Sequence, residues 1–292
     1  MTEDKASVSP NVLEQVLAQR ESVVTRLAQI GHVVAVMSGK GGVGKSALTA
    51  NIAAALGMQG LAVGVLDADI HGSSATSMLG TRGQKVTYGA AGARPAIGVA
   101  NVSVMSMDMF LPEDEPVHWQ HPGGLAADAH VWRGSMEANA LLEMLADTDW
   151  GRLEWLLIDM PPGTDRYETL LELTPDLYGT IVVTIPSQVA HRVVRRSIAA
   201  AQTAGARLLG LVENMAGYIG ENGQEVGELF PEGGGQEFAA LMDIPYLGRV
   251  PFDPRLARET DNGRPFVLEH AETIAGRAIL AIVEKLATEV SA

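Results

Sequence analysis

The sequence predicts a single doubly wound α/β domain, with a mostly parallel sheet flanked by helices. Three observations predict it. Short apolar runs alternate with helical segments along most of the chain. The first apolar run passes through a glycine-rich loop straight into a helix of small residues, and the next apolar run ends in Asp67. That strand–loop–helix–strand order is a βαβ unit, whose crossover requires parallel strands. A chain of 292 residues, 47% of them hydrophobic, buries a substantial core in such a fold.

Taken in order, residues 1–10 read as a polar tail. From 11 to 30, Val12, Leu13, Val16, Leu17, Val23, Val24, Leu27 and Ile30 recur at helical spacing, so an amphipathic helix precedes the core. Residues 1–30 are therefore set apart from the α/β domain proper, 31–292. Expected strands cover 32–37, 61–66, 102–105, 155–158, 179–185, 208–213 and 246–250. Expected helices cover 45–58, 138–145, 189–204, 237–241 and 271–287. The stretches 81–100 and 217–235, rich in glycine, read as loops or hairpins, and 112–131 reads as a loop carrying Pro and His. No linker and no internal repeat divides the domain.

Composition narrows the function. The net charge is −14, and the lysines, Lys5, Lys40, Lys45, Lys85 and Lys285, do not cluster outside the glycine loop. Such a surface repels nucleic acid and anionic lipid, so neither is an expected partner. The chain has no cysteine, which removes disulfides, thiolate zinc sites and cysteine-held iron–sulfur clusters. The polar N-terminus lacks the apolar core of a signal peptide, and no apolar run nears the ~18 residues of a membrane span. A soluble cytoplasmic protein is expected.

The glycine loop carries the chemistry. Gly39-Lys40-Gly41-Gly42-Val43-Gly44-Lys45-Ser46 fits G-x-x-x-x-G-K-[ST], a phosphate-binding loop, with Ala47 continuing into the helix. The glycines let successive N–H groups converge on phosphate oxygens, and the helix adds its positive end. Lys45 is expected to neutralise charge between the outer phosphates and Ser46 to ligate Mg²⁺. The ligand is read as ATP with Mg²⁺.

Carboxylates stand where α/β sheets present ligand-binding groups. Asp67 and Asp69 close the second strand, and Leu156-Leu157-Ile158-Asp159 is an apolar strand ending in Asp, the Walker B form. Asp67 and Asp159 are expected to support the Mg²⁺ shell. Met160-Pro161-Pro162-Gly163-Thr164 follows as a stiff turn able to pivot at Gly163, suited to sensing the terminal phosphate.

With those motifs assembled, the chain resembles a known family. The second lysine, Lys40, gives K-G-G-x-G-K-S, the deviant Walker A form of MinD and ParA positioning ATPases and of Mrp-type iron–sulfur carriers. Asp67-Ala68-Asp69-Ile70-His71-Gly72-Ser73-Ser74 resembles the Mrp-type D-A-D-I-Y-G-P-S. Trp132-Arg133-Gly134 resembles its W-R-G-P, and 159–164 reproduces D-M-P-P-G-T. Val212-Glu213-Asn214-Met215 matches V-E-N-M, and the stretch from Pro245 to Pro254 matches P-x-L-G…P-x-D-P. The resemblance, over about 32–267, implies an ATPase that works as a homodimer. It implies that Lys40 reaches the partner's ATP, that Asp69 orients the attacking water, and that Asn214 reads adenine, with Pro251 and Asp253 at the nucleotide.

The departures matter as much. Where the family places C-P-x-C to bridge a [4Fe–4S] cluster between subunits, this chain has Gly220-Glu221-Asn222-Gly223. Glu and Asn are poor replacements for soft thiolates, so no iron–sulfur cluster is expected. Asn222-Gly223 instead signals a β-hairpin. Asp165-Arg166 stands where the family has Gly-Asp, Ser135 replaces a proline, and 118–131 looks inserted. His118, His121 and His130 there read as a polar surface loop rather than a metal site. His71 and His191 are given ordinary packing or polar roles, and 233–235 reads as a loop entering a helix.

The expected function is thus an ATP-driven dimeric switch without its cluster, acting on an unidentified protein client in metallocofactor assembly. The alternatives are a MinD- or ParA-like positioning ATPase, or a nucleotide-dependent scaffold. The C-terminal helix, with Glu272, Glu284 and Glu289 beside Arg277 and Lys285, lacks the basic face a membrane-binding helix needs.

Overall fold

A computed structural model describes residues 10–112, 126–163, 165–230 and 234–291. The chain opens with helix α1 (Pro10–Leu27), then β1 (Ile30–Ser38), α2 (Lys45–Met58), β2 (Val63–Asp67) and the short α3 (Ala75–Met78). A small hairpin, β3 (Thr87–Gly89) and β4 (Gly92–Arg94), leads to β5 (Ala96–Ile97) and β6 (Ser103–Met105). The second half runs α4 (Ala126–Asp147), β7 (Leu153–Asp159), α5 (Asp165–Leu173), β8 (Gly179–Thr184) and α6 (Gln188–Thr203). Then come β9 (Leu208–Ile219), β10 (Glu225–Gly227), α7 (Gly235–Leu241), β11 (Tyr246–Phe252), α8 (Pro254–Asp261), α9 (Val267–His270) and α10 (Ile274–Ser291).

Nine strands form one sheet in the order β10-β9-β8-β1-β7-β2-β6-β5, with β11 also pairing β9. The central pairs are all parallel, and only the edge pairs β5–β6 and β9–β10 run antiparallel. Strands buried on both faces read as continuous apolar runs, and alternate residues feed opposite cores. On β1, Val33, Ala35 and Met37 face a core shared with α1, α4, α5 and α6, whereas Val34 and Val36 face one shared with α2 and α10. This is the doubly wound architecture that the sequence predicts.

Several expected elements change length. The helix expected over 138–145 starts at Ala126, so 126–131 of the supposed loop is helical. The segment 126–147 holds no proline and only one glycine, Gly134, which a helix tolerates at modest cost. His118 and His121 lie outside the described residues, as does the side chain of His130. The 217–235 hairpin is present as β9 paired with β10, turning at Gly223 with φ 76°. Helix α8 was legible but unread, since Asp253-Pro254 is an N-cap followed by proline at the first helical position.

Helix α10 settles one expectation about the C-terminus. Its Ile279, Ile282, Val283 and Leu286 are buried against α2 and β11, so its apolar side is spent on the core. Among the described residues no helix is long and apolar enough to cross a membrane.

Candidate functional site

The site is built where β1, β2 and β7 end, beside the middle of β9. Strand β1 delivers the loop 39–44, and α2 starts at Lys45. Gly44 is left-handed, at φ 79° and ψ 21°. A Cβ there would also lie 2.3 Å from the Asn214 side-chain nitrogen, so only glycine fits. That amide donates to the Val43 carbonyl at 2.8 Å, fastening the middle of β9 to the loop. Gly39 is required for a different reason: a Cβ would sit 2.8 Å from the Val194 backbone, because the loop rests directly on α6.

Lys45 is buried, and its ammonium contacts Asp159 Oδ1 at 2.5 Å and Ser46 Oγ at 3.3 Å. Thr49, one turn further along α2, donates to the same Oδ1 at 3.1 Å. The other oxygen of Asp159, Oδ2, is buried with no hydrogen-bond partner. A buried, orphaned carboxylate oxygen beside a hydroxyl is a hard-oxygen arrangement that fits Mg²⁺. An arriving polyphosphate would compete with Asp159 for Lys45 and leave that carboxylate free for a cation.

Asp67 is the register neighbour of Asp159 on the adjacent strand. It is fully buried, and its oxygens accept from the backbone amides of Asp69 (3.1 Å), Ser74 (2.7 Å) and Ala75 (2.9 Å). Burial first, then the charge of Asp159, push its pKa up to about 7, against the downward pull of those amides and Lys45. Besides any metal role, Asp67 therefore holds the start of α3. Asp69 is half-buried, accepts from Gly72 N–H at 3.1 Å, and lines a cavity of about 250 Å³ together with Gly41–Ala47 and Pro162.

A second cavity, of about 230 Å³, adjoins the first and shares Gly44, Ala47 and Met78 with it. Its walls include Met215, Pro251, Phe252 and Leu256, with Asn214, Asp253, Thr260 and Asp261 as the polar members of a largely apolar lining. Met215 takes a left-handed conformation (φ 58°), uncommon for such a side chain and typical of functional sites. Size, polarity and adjacency suit a purine stacked beyond a polyphosphate. Asp253 also borders this cavity, but its carboxylate is engaged by Arg255 (Nε 3.0 Å, Nη2 2.7 Å) and caps α8. Burial opposes its ionisation, yet those hydrogen bonds outweigh it and lower its pKa.

The structure thus brings together Gly39, residues 41–47, Asp67, Asp69, Asp159, Asn214 and Pro251. Lys40 stands apart: half-exposed, with no partner for its ammonium among the described residues. Sequence reasoning missed three features. Thr49 was legible from its position one turn after Lys45. Glu137 was not, since nothing local distinguishes it. Counting lysines also passed over Arg192, Arg195 and Arg196, which stand exposed on α6 beside the loop-bearing Gly39 contact.

Fold and site together define a P-loop NTPase of the α/β class. A family model described as ParA: NUBPL iron-transfer P-loop NTPase matches residues 29–287, and the chain belongs to that family. It is 39% identical over 277 residues to an iron-sulfur cluster carrier protein of Saccharolobus solfataricus, covering 94% of this chain and 89% of that one. It is 36% identical over 271 residues to the cytosolic Fe-S cluster assembly factor NUBP2 of Bos taurus, covering 91% and 96%. Among solved structures, a nucleotide-binding protein in complex with ADP from Archaeoglobus fulgidus superposes with a TM-score of 0.71 at 33% identity, covering 84% and 92%. The cell division ATPase MinD of Pyrococcus furiosus shares the fold, with a TM-score of 0.62 at 22% identity over 88% and 99%.

Proposed function

We propose that this protein is a Mg²⁺-dependent ATPase that closes as a homodimer around ATP and acts on a protein client in iron–sulfur or related metallocofactor assembly. The observation that carries the reading is the pair of adjoining cavities, one walled by the loop 41–47 and the carboxylates, the other by Asn214 and Pro251. The two cavities share Gly44, Ala47 and Met78, so one nucleoside triphosphate would span both. Lys45 and the loop N–H groups bind the phosphates, Ser46 and Asp159 hold Mg²⁺ with Asp67 behind them, and Asp69 orients water. Bound there, Mg²⁺ neutralises charge on the phosphate oxygens. Lys40, free and outside the cavity, is placed to act across a dimer interface, in the manner of an arginine finger.

The cluster does not transfer with the family. Its relatives are named for carrying or assembling Fe–S clusters. This chain has no cysteine, and the hairpin at 220–223 presents Gly, Glu, Asn and Gly. Those residues do not fit an iron–sulfur cargo, so the chain supplies no thiolate to it. The client, or a partner chain, would supply the soft ligands. The reading places it in the cytoplasm, a location supported by relatives named cytosolic.

The test is ATP hydrolysis by the purified protein, with sedimentation in ATP, in ADP and without nucleotide. ATP-dependent dimers and turnover are expected, both lost in Lys40→Ala. A monomer under all conditions, or normal turnover by Lys40→Ala, would overturn the dimeric switch. Binding to duplex DNA in physiological salt would favour the ParA-like reading, with the arginines of α6 as its footing.

A further inference from the structure

Glu137, on α4, is 8% exposed and uses both carboxylate oxygens. Oε1 lies 2.9 Å from His71 Nε2, and Oε2 forms an ion pair with Arg166, which also donates to the Gly134 carbonyl at 3.3 Å. His71 stands two residues beyond Asp69 on the loop that follows β2. Arg166 opens α5 just after the Met160-Pro161-Pro162-Gly163 turn that follows Asp159. A gap of about 40 Å³ between the two loops is lined by Asp69, Ile70, Met160 and Pro161. Helix α4 is a rigid base for this contact, anchored by buried Leu141, Leu142, Met144 and Leu145.

We infer that Glu137 is a positioning residue that couples the two carboxylate-bearing loops, so that displacement of one at the nucleotide is transmitted to the other. The physical reason is that its charge is buried and shared. If either loop pulls away, the carboxylate keeps one partner and loses the other, which is costly in a desolvated place. His71 and Arg166 are both positions where the chain departs from the motifs it otherwise matches, with Tyr and Asp expected there. At 166 the sign of the charge is reversed, and Glu137 is the opposite charge that meets it.

This rests on the ATPase reading for its kinetic consequence but not for its structural one. Glu137→Gln keeps the side chain's size and its bond to His71 while removing the charge facing Arg166. The expected result is a fall in kcat of roughly ten- to hundredfold with KM for ATP within about twofold, the mark of misplaced catalytic groups with binding intact. Amide hydrogen exchange should quicken both across 68–74 and at Met160 and Gly163, whose N–H groups donate to Val36 and Ser38, and not in α2. Arg166→Lys, which keeps the positive charge facing Glu137, should retain most of the kcat, and Arg166→Gln should reproduce the defect if the first variant folds poorly. Unchanged kcat and exchange in Glu137→Gln, loosening of one loop alone, or a loss in Arg166→Lys as large as in Arg166→Gln would overturn the coupling. If the wild type hydrolyses no ATP, the ATPase reading fails by itself, and the exchange of the two loops still decides this one.

Discussion

The nucleotide site and the β9–β10 hairpin lie on one strand, β9, yet the chain treats them in opposite ways. Asn214, near its middle, is locked to Val43 and forces glycine at position 44, so the contact between strand and loop tolerates no bulk. A few residues on, Glu221, Asn222 and Glu225 are exposed or half-exposed, and the turn is held mainly by the Gly220 and Gly223 backbone bonds. The buried end is over-determined by sterics and charge. The exposed end needs only a turn, and a turn is satisfied by Asn-Gly as readily as by ligating residues. The hairpin therefore folds without any ligating side chain, whereas the phosphate loop accepts no added bulk at Gly39 or Gly44.

That contrast is breakable, and its largest test is Lys45→Ala. Removing the ammonium takes away the proposed phosphate contact and leaves Asp159 without its countercharge, with Thr49 as its remaining side-chain partner. Turnover should fall at least about a hundredfold in a steady-state ATPase assay. Gly44→Ala should follow, because its methyl must displace the Asn214 amide and adopt φ 79°. We expect ATP affinity to drop about tenfold, near 1.4 kcal/mol, by isothermal calorimetry, and Asn214→Ala to relieve part of that loss in the double variant. Additive effects would mean that the two positions are not in contact.

A smaller effect concerns Asp67. Its unfolded pKa is the ordinary 3.8, and its folded value is about 7, so between these the native state holds more protons. Stability of the nucleotide-free protein attributable to this group falls as pH rises through that window. Thermal melts should show wild type losing ground to Asp67→Asn between about pH 4 and 7, whatever constant penalty the lost carboxylate contacts bring. A pH-independent difference would refute the raised pKa. The smallest effect belongs to the hairpin: Gly223→Ala, at φ 76°, should cost about 1 kcal/mol in chemical denaturation and leave ATPase activity unaltered.

How far the site was legible depended on distance along the chain. The loop 39–46 and the strand-end aspartates carry their chemistry in consecutive residues, so spacing was enough to find them. Asn214 and Pro251 needed the resemblance to known motifs. Glu137 defied both routes, because a glutamate inside an amphipathic helix looks like solvated surface until His71 and Arg166 are folded against it. Helix α4 was cut short in the reading because the histidines and the Pro-containing stretch before it suggested a loop. The arginines of α6 were passed over because the charge tally followed lysine alone.

By itself the sequence determined the βαβ opening, the parallel sheet, the phosphate loop and the lack of any thiol for a cluster. These depend on local periodicity, on glycine placement and on which atoms the side chains contain. Only the tertiary structure decided where Lys45 rests, that Asp67 caps α3 while standing beside Asp159, and that one glutamate joins the two loops. Each of those is a contact between residues far apart in sequence, set by strand order and burial, and no short stretch of the chain encodes such a meeting.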